Sequence, residues 1–291
     1  MIPSRSRILL SIWIVVVAAA VLVPIAANRA PRIAVPATPV QIRQVLFREL
    51  QPVKLSNCTL ERFGEAHDGG YLLCGNLLGA VASGYSYGIS GYDGWGCDIS
   101  RKLDVTVHQY DCFDLTRPVC DGGATVFHGE CIGVAAGLED GRPFDTLESQ
   151  IVKNGDRGKR LVVKMDVEGA EWDSFLDAPN DVLQRIDQLA VEFHGSGDAR
   201  YLEAVQRLKQ FFHVVHLHWN NYACVESQDP FRAWAYEVLF VNKRIGVVDP
   251  AGKVVLPHPL DAPNNPGKPD CRGARSSRLA GLAPRLFLTG S

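Results

Sequence analysis

The sequence has almost no net charge and no basic tract. Its 30 lysine and arginine residues are balanced by 32 aspartate and glutamate residues, so the formal net charge is −2 over 291 residues. Proteins that bind a nucleic-acid backbone typically carry runs of basic residues interleaved with aromatic ones, and this sequence has no such run. We therefore expect no nucleic-acid partner.

Compact motifs of metal and nucleotide chemistry are also missing. The sequence has no CxxC pair, which argues against a zinc ribbon or a thioredoxin-type site, and it has no GxxxxGK[ST] phosphate loop. The dinucleotide motif GxGxxG is absent too, because Gly94-Trp95-Gly96 is followed by Ile99 where the third glycine belongs. Without that glycine a helix cannot close down on its strand to bind a pyrophosphate. NAD is therefore a poor candidate ligand, and a nucleoside without phosphates is a better one.

What the sequence does contain near its start is one long apolar run. Ile8 to Ala27 comprises twenty residues without a charge, enough for a helix of about 30 Å that crosses a bilayer. We predict a transmembrane signal anchor at 8–27 behind a short tail at 1–7, and hence a single-pass membrane protein. A cleaved signal peptide and a buried core helix are the alternatives; the run is long for a signal sequence, and Ala26-Ala27 is only a passable cleavage site.

Proline and apolar content divide the rest of the chain. Residues 28–40 contain three prolines and few large apolar side chains, which predicts an extended linker. Residues 41–245 have the mixed composition of one globular domain. Residues 246–291 are again rich in proline and lack apolar periodicity, which predicts a loosely ordered tail.

All of the cysteines lie beyond the apolar run. An even number of cysteines behind a membrane or secretory signal favours an oxidising compartment, so we predict that the globular domain lies on the non-cytosolic side. The alternative is that several of them are small buried apolar residues. The sequence does not select a pairing. The eight are Cys58, Cys74, Cys97, Cys112, Cys120, Cys131, Cys224 and Cys271.

Strand-like and helix-like segments alternate through the globular region. This alternation predicts an α/β domain with a mainly parallel sheet that is covered by helices. Helices are predicted to begin near 98, 147 and 198. The predicted strands are 85–89, 105–110, 125–128, 161–165, 186–193, 213–219 and 236–241, of which the last two form an antiparallel pair.

A glycine-rich stretch follows the first of these strands. Four glycines between 88 and 96 would let the backbone approach a flat ligand without clashes from Cβ atoms. Asp111 lies at the end of the next strand, where a carboxylate can accept hydrogen bonds from both ribose hydroxyls of an adenosine. Because ligands of open α/β sheets bind beyond the carboxyl ends of the strands, these residues predict a nucleoside site.

Several further segments occur in a recognisable order between residues 62 and 242. They are RFG with DGGY, YSYGIS, HQYDCFD, KMDVEGAEW, VEFHG, HLHWNN and EVLFVN. Together they resemble the FkbM-related, methyltransferase-like proteins, and KMDVEGAEW at 164–172 is the most specific of them. The resemblance implies a Rossmann-like seven-stranded class I methyltransferase sheet with helices on both faces and the last strand antiparallel. It also implies S-adenosyl-L-methionine as cofactor and a hydroxyl of a small molecule or glycan as methyl acceptor.

The resemblance also assigns the cofactor loop. Methyltransferases of this fold often carry an acidic residue two places before the first loop glycine, where this chain has Ser86. Asp93 is the candidate substitute for that acid. The predicted cofactor-binding residues are Gly88, Ser90, Gly91, Asp93 and Asp111.

Methyl transfer to a hydroxyl needs a group that positions the acceptor and helps to remove its proton. Asp166, Glu192 and His194 are predicted at the carboxyl ends of neighbouring strands, and we predict that they are catalytic. The resemblance implies that Asp166 and Glu168 lie beside the reacting centre. The alternative is that Asp166, Glu168 and Glu171 only cap or charge the first turn of the following helix.

The same residues permit other interpretations. A divalent cation could be held by Asp166, Glu192, His194 and His218, but no compact motif such as HExxH supports it, so we predict no metal. A hydrolase could use Asp166, Glu168 and Glu192 as acid and base. A non-catalytic, membrane-anchored binding protein could have kept the fold and lost the chemistry.

Overall fold

A mixed sheet of seven strands forms the centre of the computed structural model, which describes residues 38–271. The strands of the fold are β1 (Leu60–Phe63), β2 (Tyr71–Cys74), β3 (Ser83–Tyr87), β4 (Val107–Tyr110), β5 (Thr125–His128), β6 (Cys131–Ile132), β7 (Gly137–Glu139), β8 (Arg142–Asp145), β9 (Leu161–Met165), β10 (Ile186–His194), β11 (Phe212–Trp219) and β12 (Ala235–Asn242). The order across the central sheet is β11-β12-β10-β9-β3-β4-β5.

The strand order reverses between β3 and β9. The chain builds outward from β3 through β4 to β5 and then returns to the other side of β3, where β9 and β10 follow. These five strands are parallel, and β12 alone runs against its neighbours β10 and β11. The predictions of a mainly parallel sheet and of an antiparallel pair at its end are therefore confirmed. In open sheets a ligand binds beyond the carboxyl ends of the strands at such a reversal.

Helices cover both faces of this sheet. Their apolar residues recur at helical spacing, as Leu202, Val205 and Leu208 do on one buried stripe. Asp198 begins that helix as predicted, because its carboxylate accepts a hydrogen bond from a backbone N–H in the first turn. The helices are α1 (Pro39–Glu49), α2 (Gly94–Leu103), α3 (Leu147–Lys153), α4 (Glu171–Asp177), α5 (Asn180–Arg185) and α6 (Ala199–Phe211).

Alternating side chains of each strand point into two different cores. On β9, Leu161, Val163 and Met165 pack into a core that includes residues of α1, α3, α4, α5 and α6. Val162 faces the opposite core, which is closed by α2 and by the hairpin of β1 and β2. Successive side chains of a strand point to opposite faces of the sheet. Because both faces are buried here, every residue of the strand faces a core, and the strand appears in the sequence as one continuous apolar run.

The structure moves several predicted boundaries. Helix α1 begins at Pro39, so the predicted linker overlaps its first turn. Strand β3 ends at Tyr87 rather than at 89, because Gly88 already has a positive φ of 70°. Helix α2 begins at Gly94 rather than near 98, because the side chain of Asp93 caps it. A glycine-rich stretch predicts a loop, and only the cap shows that a helix starts inside it.

The predicted loose tail is wrong for residues 246–271. This segment has no helix or strand, but Asn264 and Cys271 are buried and Val248 forms a bridge with Leu55. The Cys224–Cys271 disulfide closes a 47-residue separation, and a bond of that span contributes about 4 kcal/mol in chain-entropy terms. Polar bonds and a covalent link thus order a segment that has no apolar periodicity.

All eight cysteines are paired. The bonds are Cys58–Cys74, Cys97–Cys120, Cys112–Cys131 and Cys224–Cys271. The alternative that several cysteines are free packing residues is therefore wrong. The first three bonds join segments that adjoin the hairpin, α2 and the end of β4.

Within residues 38–271, no helix is long and apolar enough to span a bilayer. The predicted anchor at 8–27, the tail at 1–7 and residues 28–37 of the predicted linker lie outside the described residues.

Candidate active site

A cavity of about 410 Å³ opens at the carboxyl ends of β3, β4 and β9. It lies where the strand order reverses, the place at which open sheets bind ligands. The small sheet of β6, β7 and β8 supplies one wall through Ile132 and Phe144. The lining residues are Tyr87, Gly88, Ser90, Tyr110, Asp111, Cys112, Phe113, Asp114, Glu130, Cys131, Ile132, Phe144, Asp166, Val167, Glu168 and Ala170.

Gly88 is required where β3 leaves the sheet. Its φ is +70°, and a Cβ built on it would lie 1.6 Å from the backbone carbonyl oxygen of Asp166. Any side chain would therefore push β3 and β9 apart at the floor of the cavity. Ser90 also lines the cavity, whereas Gly91 belongs to the same turn but is not part of the lining.

Asp111 holds the loop that follows β3 against the end of β4. One carboxylate oxygen accepts the backbone N–H groups of Ile89 and Ser90 at 3.1 and 2.8 Å. The other accepts those of Phe113 and Asp114 at 2.9 and 3.0 Å. A carboxylate has about four lone-pair positions, so these bonds use all of them. Asp111 lines the cavity as predicted; its bond to a ribose hydroxyl stays a prediction and would have to replace one of these four.

Asp93 does not line this cavity. Its carboxylate is buried beneath the loop, where it accepts the backbone N–H of Gly96, the hydroxyl of Ser86 at 3.1 Å and the side-chain amide of Gln109. The carboxylate thus lies beside Ser86, as expected of a substitute for the missing acid. Its hydrogen bonds make it the cap of α2, and we correct its predicted place in the cofactor pocket.

The cavity is acidic. Five carboxylates line it, those of Asp111, Asp114, Glu130, Asp166 and Glu168, and the lining includes no lysine, arginine or histidine. Apolar and aromatic side chains form much of the remaining wall. A phosphate-bearing ligand would face repulsion here, whereas a cation or a hydroxyl-rich ligand would not.

The three predicted catalytic side chains come together beside the cavity. The Nε2 atom of His194 lies 3.8 Å from Asp166 Oδ1 and 3.7 Å from Glu192 Oε1. Only Asp166 lines the cavity; its side chain is 25% exposed, whereas Glu192 and His194 are buried behind it. The structure therefore confirms that the three side chains are neighbours. Of the three, Asp166 is the one that reaches the cavity.

Glu171 and Tyr71 belong to this cluster, although the sequence did not predict either in the site. The buried carboxylate of Glu171 accepts the backbone N–H of His194 at 2.8 Å and faces His194 Nδ1 at 3.2 Å. The Tyr71 hydroxyl donates to Asp166 Oδ2 at 3.1 Å. Both residues lie in segments that carry the family resemblance, and that was the only available signal.

Burial and neighbouring charges shift the pKa values of two members. Burial raises the pKa of Glu192 well above its ordinary value, and the carboxylates of Asp166 and Glu237 raise it further. Burial acts to lower the pKa of His194, but the hydrogen bond to Glu171 and the charge of Asp166 outweigh it, so that this pKa is raised. Both shifts favour the protonated forms of these two buried side chains.

His218 lies outside the cluster. Its Nδ1 atom is 3.3 Å from Glu237, and His216 lies 2.9 Å from Asp261 in the C-terminal segment. The alternative of a cation held by Asp166, Glu192, His194 and His218 therefore loses His218, which pairs with Glu237 on β12. The helix-cap alternative is wrong for Asp166 and Glu168, because the N-cap residue of α4 is Ala170 and no side chain makes a capping hydrogen bond; Glu171 does lie in the first turn of α4.

Comparison with known proteins returned nothing: no protein-family model, no curated protein and no solved structure matches this chain.

Proposed function

We propose that this chain is an S-adenosyl-L-methionine-dependent methyltransferase that methylates a hydroxyl group on a small molecule or glycan. The observation that carries the proposal is the acidic cavity at the point where the strand order reverses. No basic side chain lines this cavity, and Gly88 and Asp166 form its floor. The seven-stranded sheet with an antiparallel last strand supports the finer assignment to the class I methyltransferase fold.

The residues of the cavity fit such a cofactor. Its volume of about 410 Å³ lies within the range of small-ligand sites, about 300–1,000 Å³. The cofactor carries a positive sulfonium and no phosphate, so carboxylates without basic neighbours suit it electrostatically. Ile132 and Phe144 offer an apolar wall for an adenine ring. Segments that carry the family resemblance, around 88, 111 and 166, meet at this cavity.

The protein's part in the reaction falls to Asp166 and His194. The bound cofactor supplies an electrophilic methyl group to an in-line attack by the acceptor oxygen. Asp166 reaches the cavity, and there its carboxylate accepts a hydrogen bond from the acceptor hydroxyl and orients it. As the acceptor oxygen takes the methyl group, its proton passes to Asp166 and from that partly exposed side chain to solvent, while His194, 3.8 Å behind, supports the carboxylate. Tyr71 fixes the second oxygen of Asp166.

The hydrolase alternative finds less support. Glycoside hydrolysis needs two carboxylates that flank an open substrate position. Of the three carboxylates that this alternative uses, Asp166 and Glu168 line the cavity, but Glu192 is 4% exposed and does not, so Glu192 cannot serve as acid or base to a substrate there.

Calorimetric titration tests the proposal on the full disulfide-bonded chain. We expect S-adenosylhomocysteine to bind one site per chain, and NAD and ATP not to bind, because their phosphates meet five carboxylates. A folded chain that ignores S-adenosylhomocysteine, or that binds NAD equally well, would show that the cavity serves another ligand.

We further propose that the domain folds on the non-cytosolic side of a membrane, as the four disulfides and the predicted anchor suggest. Protein from its native source, denatured without reductant, should then take up no thiol reagent. After reduction it should take up eight equivalents, one per cysteine. Full labelling before reduction would place the domain in a reducing compartment.

A further inference from the structure

We propose that Asp166, Glu192 and His194 form a binding site for a divalent transition-metal cation. One ligand atom from each of the three side chains lies within 4.8 Å of the other two. These residues form no compact motif along the chain, because they come from the ends of two strands, β9 and β10. The inference rests on these side chains alone and does not require the proposed methyl transfer.

The orientation of His194 points to a cation. A carboxylate accepts hydrogen bonds and does not donate them, so Nδ1 of His194 is the donor to Glu171, at 3.2 Å. In the neutral ring, Nε2 then carries a lone pair, and it faces carboxylate oxygens of Asp166, Glu168 and Glu192 at 3.8, 3.5 and 3.7 Å. A buried carboxylate that fixes the ring nitrogen opposite the ligand atom is the usual outer shell of a metal-binding histidine.

The local charge balance points the same way. Glu192 is buried; Asn220 donates to its Oε1 at 2.8 Å, and its Oε2 has no hydrogen-bond donor among the described residues. The ammonium of Lys164 lies 3.7 Å from Asp166 and also donates to a backbone carbonyl of the cofactor loop. No lysine or arginine among the described residues pairs with the buried Glu192. A buried carboxylate without a basic partner needs a proton or a cation beside it.

The spacing suits a small ion. Two ligands about 2.1 Å from a tetrahedral ion lie about 3.4 Å apart. The observed separations of 3.7 and 3.8 Å from His194 Nε2 are a few tenths of an ångström longer, and the ligand oxygens of Asp166 and Glu192 lie within 4.8 Å of each other. One imidazole with two carboxylates favours Mn²⁺ or Zn²⁺ over Mg²⁺ or Ca²⁺. Three protein ligands leave a position for water or for the hydroxyl of an acceptor.

Glu168 lies at the edge of this site. Its φ is +56°, a strained value for a residue with a side chain, and its carboxylate comes within 3.5 Å of His194 Nε2. Strain of this kind persists where surrounding structure or function requires it. The Glu168 side chain is 79% exposed, so Glu168 borders the three-residue site from the solvent side and is not counted among the three ligands.

The test is calorimetric titration of the chelator-treated, full disulfide-bonded chain with Mn²⁺ and, separately, with Zn²⁺. We expect one ion per chain. His194→Gln and Glu192→Gln should each lower the affinity on the order of 10²-fold or more, and Glu171→Gln about 10–100-fold, the usual loss for an outer-shell partner. His213→Gln on β11 and Glu203→Gln on α6 remove the same chemical groups elsewhere and should bind as the wild type does.

Near-ultraviolet circular dichroism shows whether each variant is folded. If His194→Gln fails to fold, Asp166→Asn decides the matter, because the Asp166 side chain is partly exposed and tolerates the change. Absence of stoichiometric binding by the wild type would overturn the proposal and leave a shared proton as the balancing charge. Equal affinity of the wild type and the folded ligand variants would overturn it too.

The proposed metal site and the proposed cofactor site can be tested independently of each other. Titration with S-adenosylhomocysteine in the presence of EDTA measures the cavity without the ion. Intact binding of S-adenosylhomocysteine with no metal binding sinks only the cation site. Metal binding without S-adenosylhomocysteine binding sinks only the proposed cofactor.

Discussion

Asp166→Asn is expected to lower turnover by about 10²–10⁴-fold, the range for loss of a positioned acid or base. Asp166 is the member of the catalytic cluster that reaches the cavity, and it joins the cavity to His194. Asparagine keeps the shape and the bond from Tyr71 but removes the charge. The affinity for S-adenosylhomocysteine should change little, because the adenosine end of the ligand is expected near Asp111 instead.

Asp173→Asn on α4 is the matched control. Asp173 is half-exposed and pairs with Arg200, outside the cavity lining, so this variant should keep full turnover. Turnover is measured as transfer of a labelled methyl group to a panel of hydroxyl-bearing acceptors, with and without added Mn²⁺. If Asp166→Asn keeps its turnover, Asp166 is neither base nor cation ligand. If it loses cofactor binding together with turnover, Asp166 contacts the cofactor itself.

Asp111→Ala is expected to weaken the binding of S-adenosylhomocysteine by about 10–150-fold, the equivalent of about 1.5–3 kcal/mol for a lost charge-assisted hydrogen bond. The reason lies in the loop, because four backbone N–H groups lose their common acceptor and the loop from Gly88 is freed from β4. The free energy of unfolding should also fall, by about 1–3 kcal/mol. Calorimetry and thermal unfolding measure the two effects.

Asp114→Ala separates loop support from direct contact. Asp114 lines the same cavity three residues later, and its carboxylate accepts hydrogen bonds only from the backbone and the side chain of Thr116, two residues away. The Asp114→Ala variant should therefore have the same free energy of unfolding as the wild type. An unchanged dissociation constant in folded Asp111→Ala would sink the assignment of Asp111. A larger loss of affinity in Asp114→Ala would make Asp114 the carboxylate that meets the ribose.

The parts of the fold that were predicted well have strong local patterns. Strand β9 has its predicted limits, Leu161–Met165, because five consecutive apolar or long side chains bounded by polar residues fit a strand that is buried on both faces. Helix α6 follows its cap Asp198 with apolar residues at helical spacing. The local spacing of apolar residues is enough to predict an element whose own apolar side chains are buried.

Local pattern did not suffice where polar contacts or covalent bonds do the ordering. The start of α2 lies inside a glycine-rich stretch, and the hydrogen bonds of Asp93 decide it. The segment 246–271 has no apolar periodicity, yet the Cys224–Cys271 bond and the buried Asn264 hold it. The spacing of hydrophobic residues along the chain predicts neither polar side-chain contacts nor disulfide bonds.

The sequence by itself determined that Asp166, Glu192 and His194 stand at the carboxyl ends of strands, because each follows an apolar run. It also placed Asp111 at the end of a strand beside the glycine loop. Only the tertiary structure decided that β9 and β10 are adjacent and parallel, so that these three side chains meet while His218 pairs with Glu237 across β11 and β12. The physical reason is that strand order and register are fixed by packing between distant segments, and neither is written in the spacing of residues along the chain.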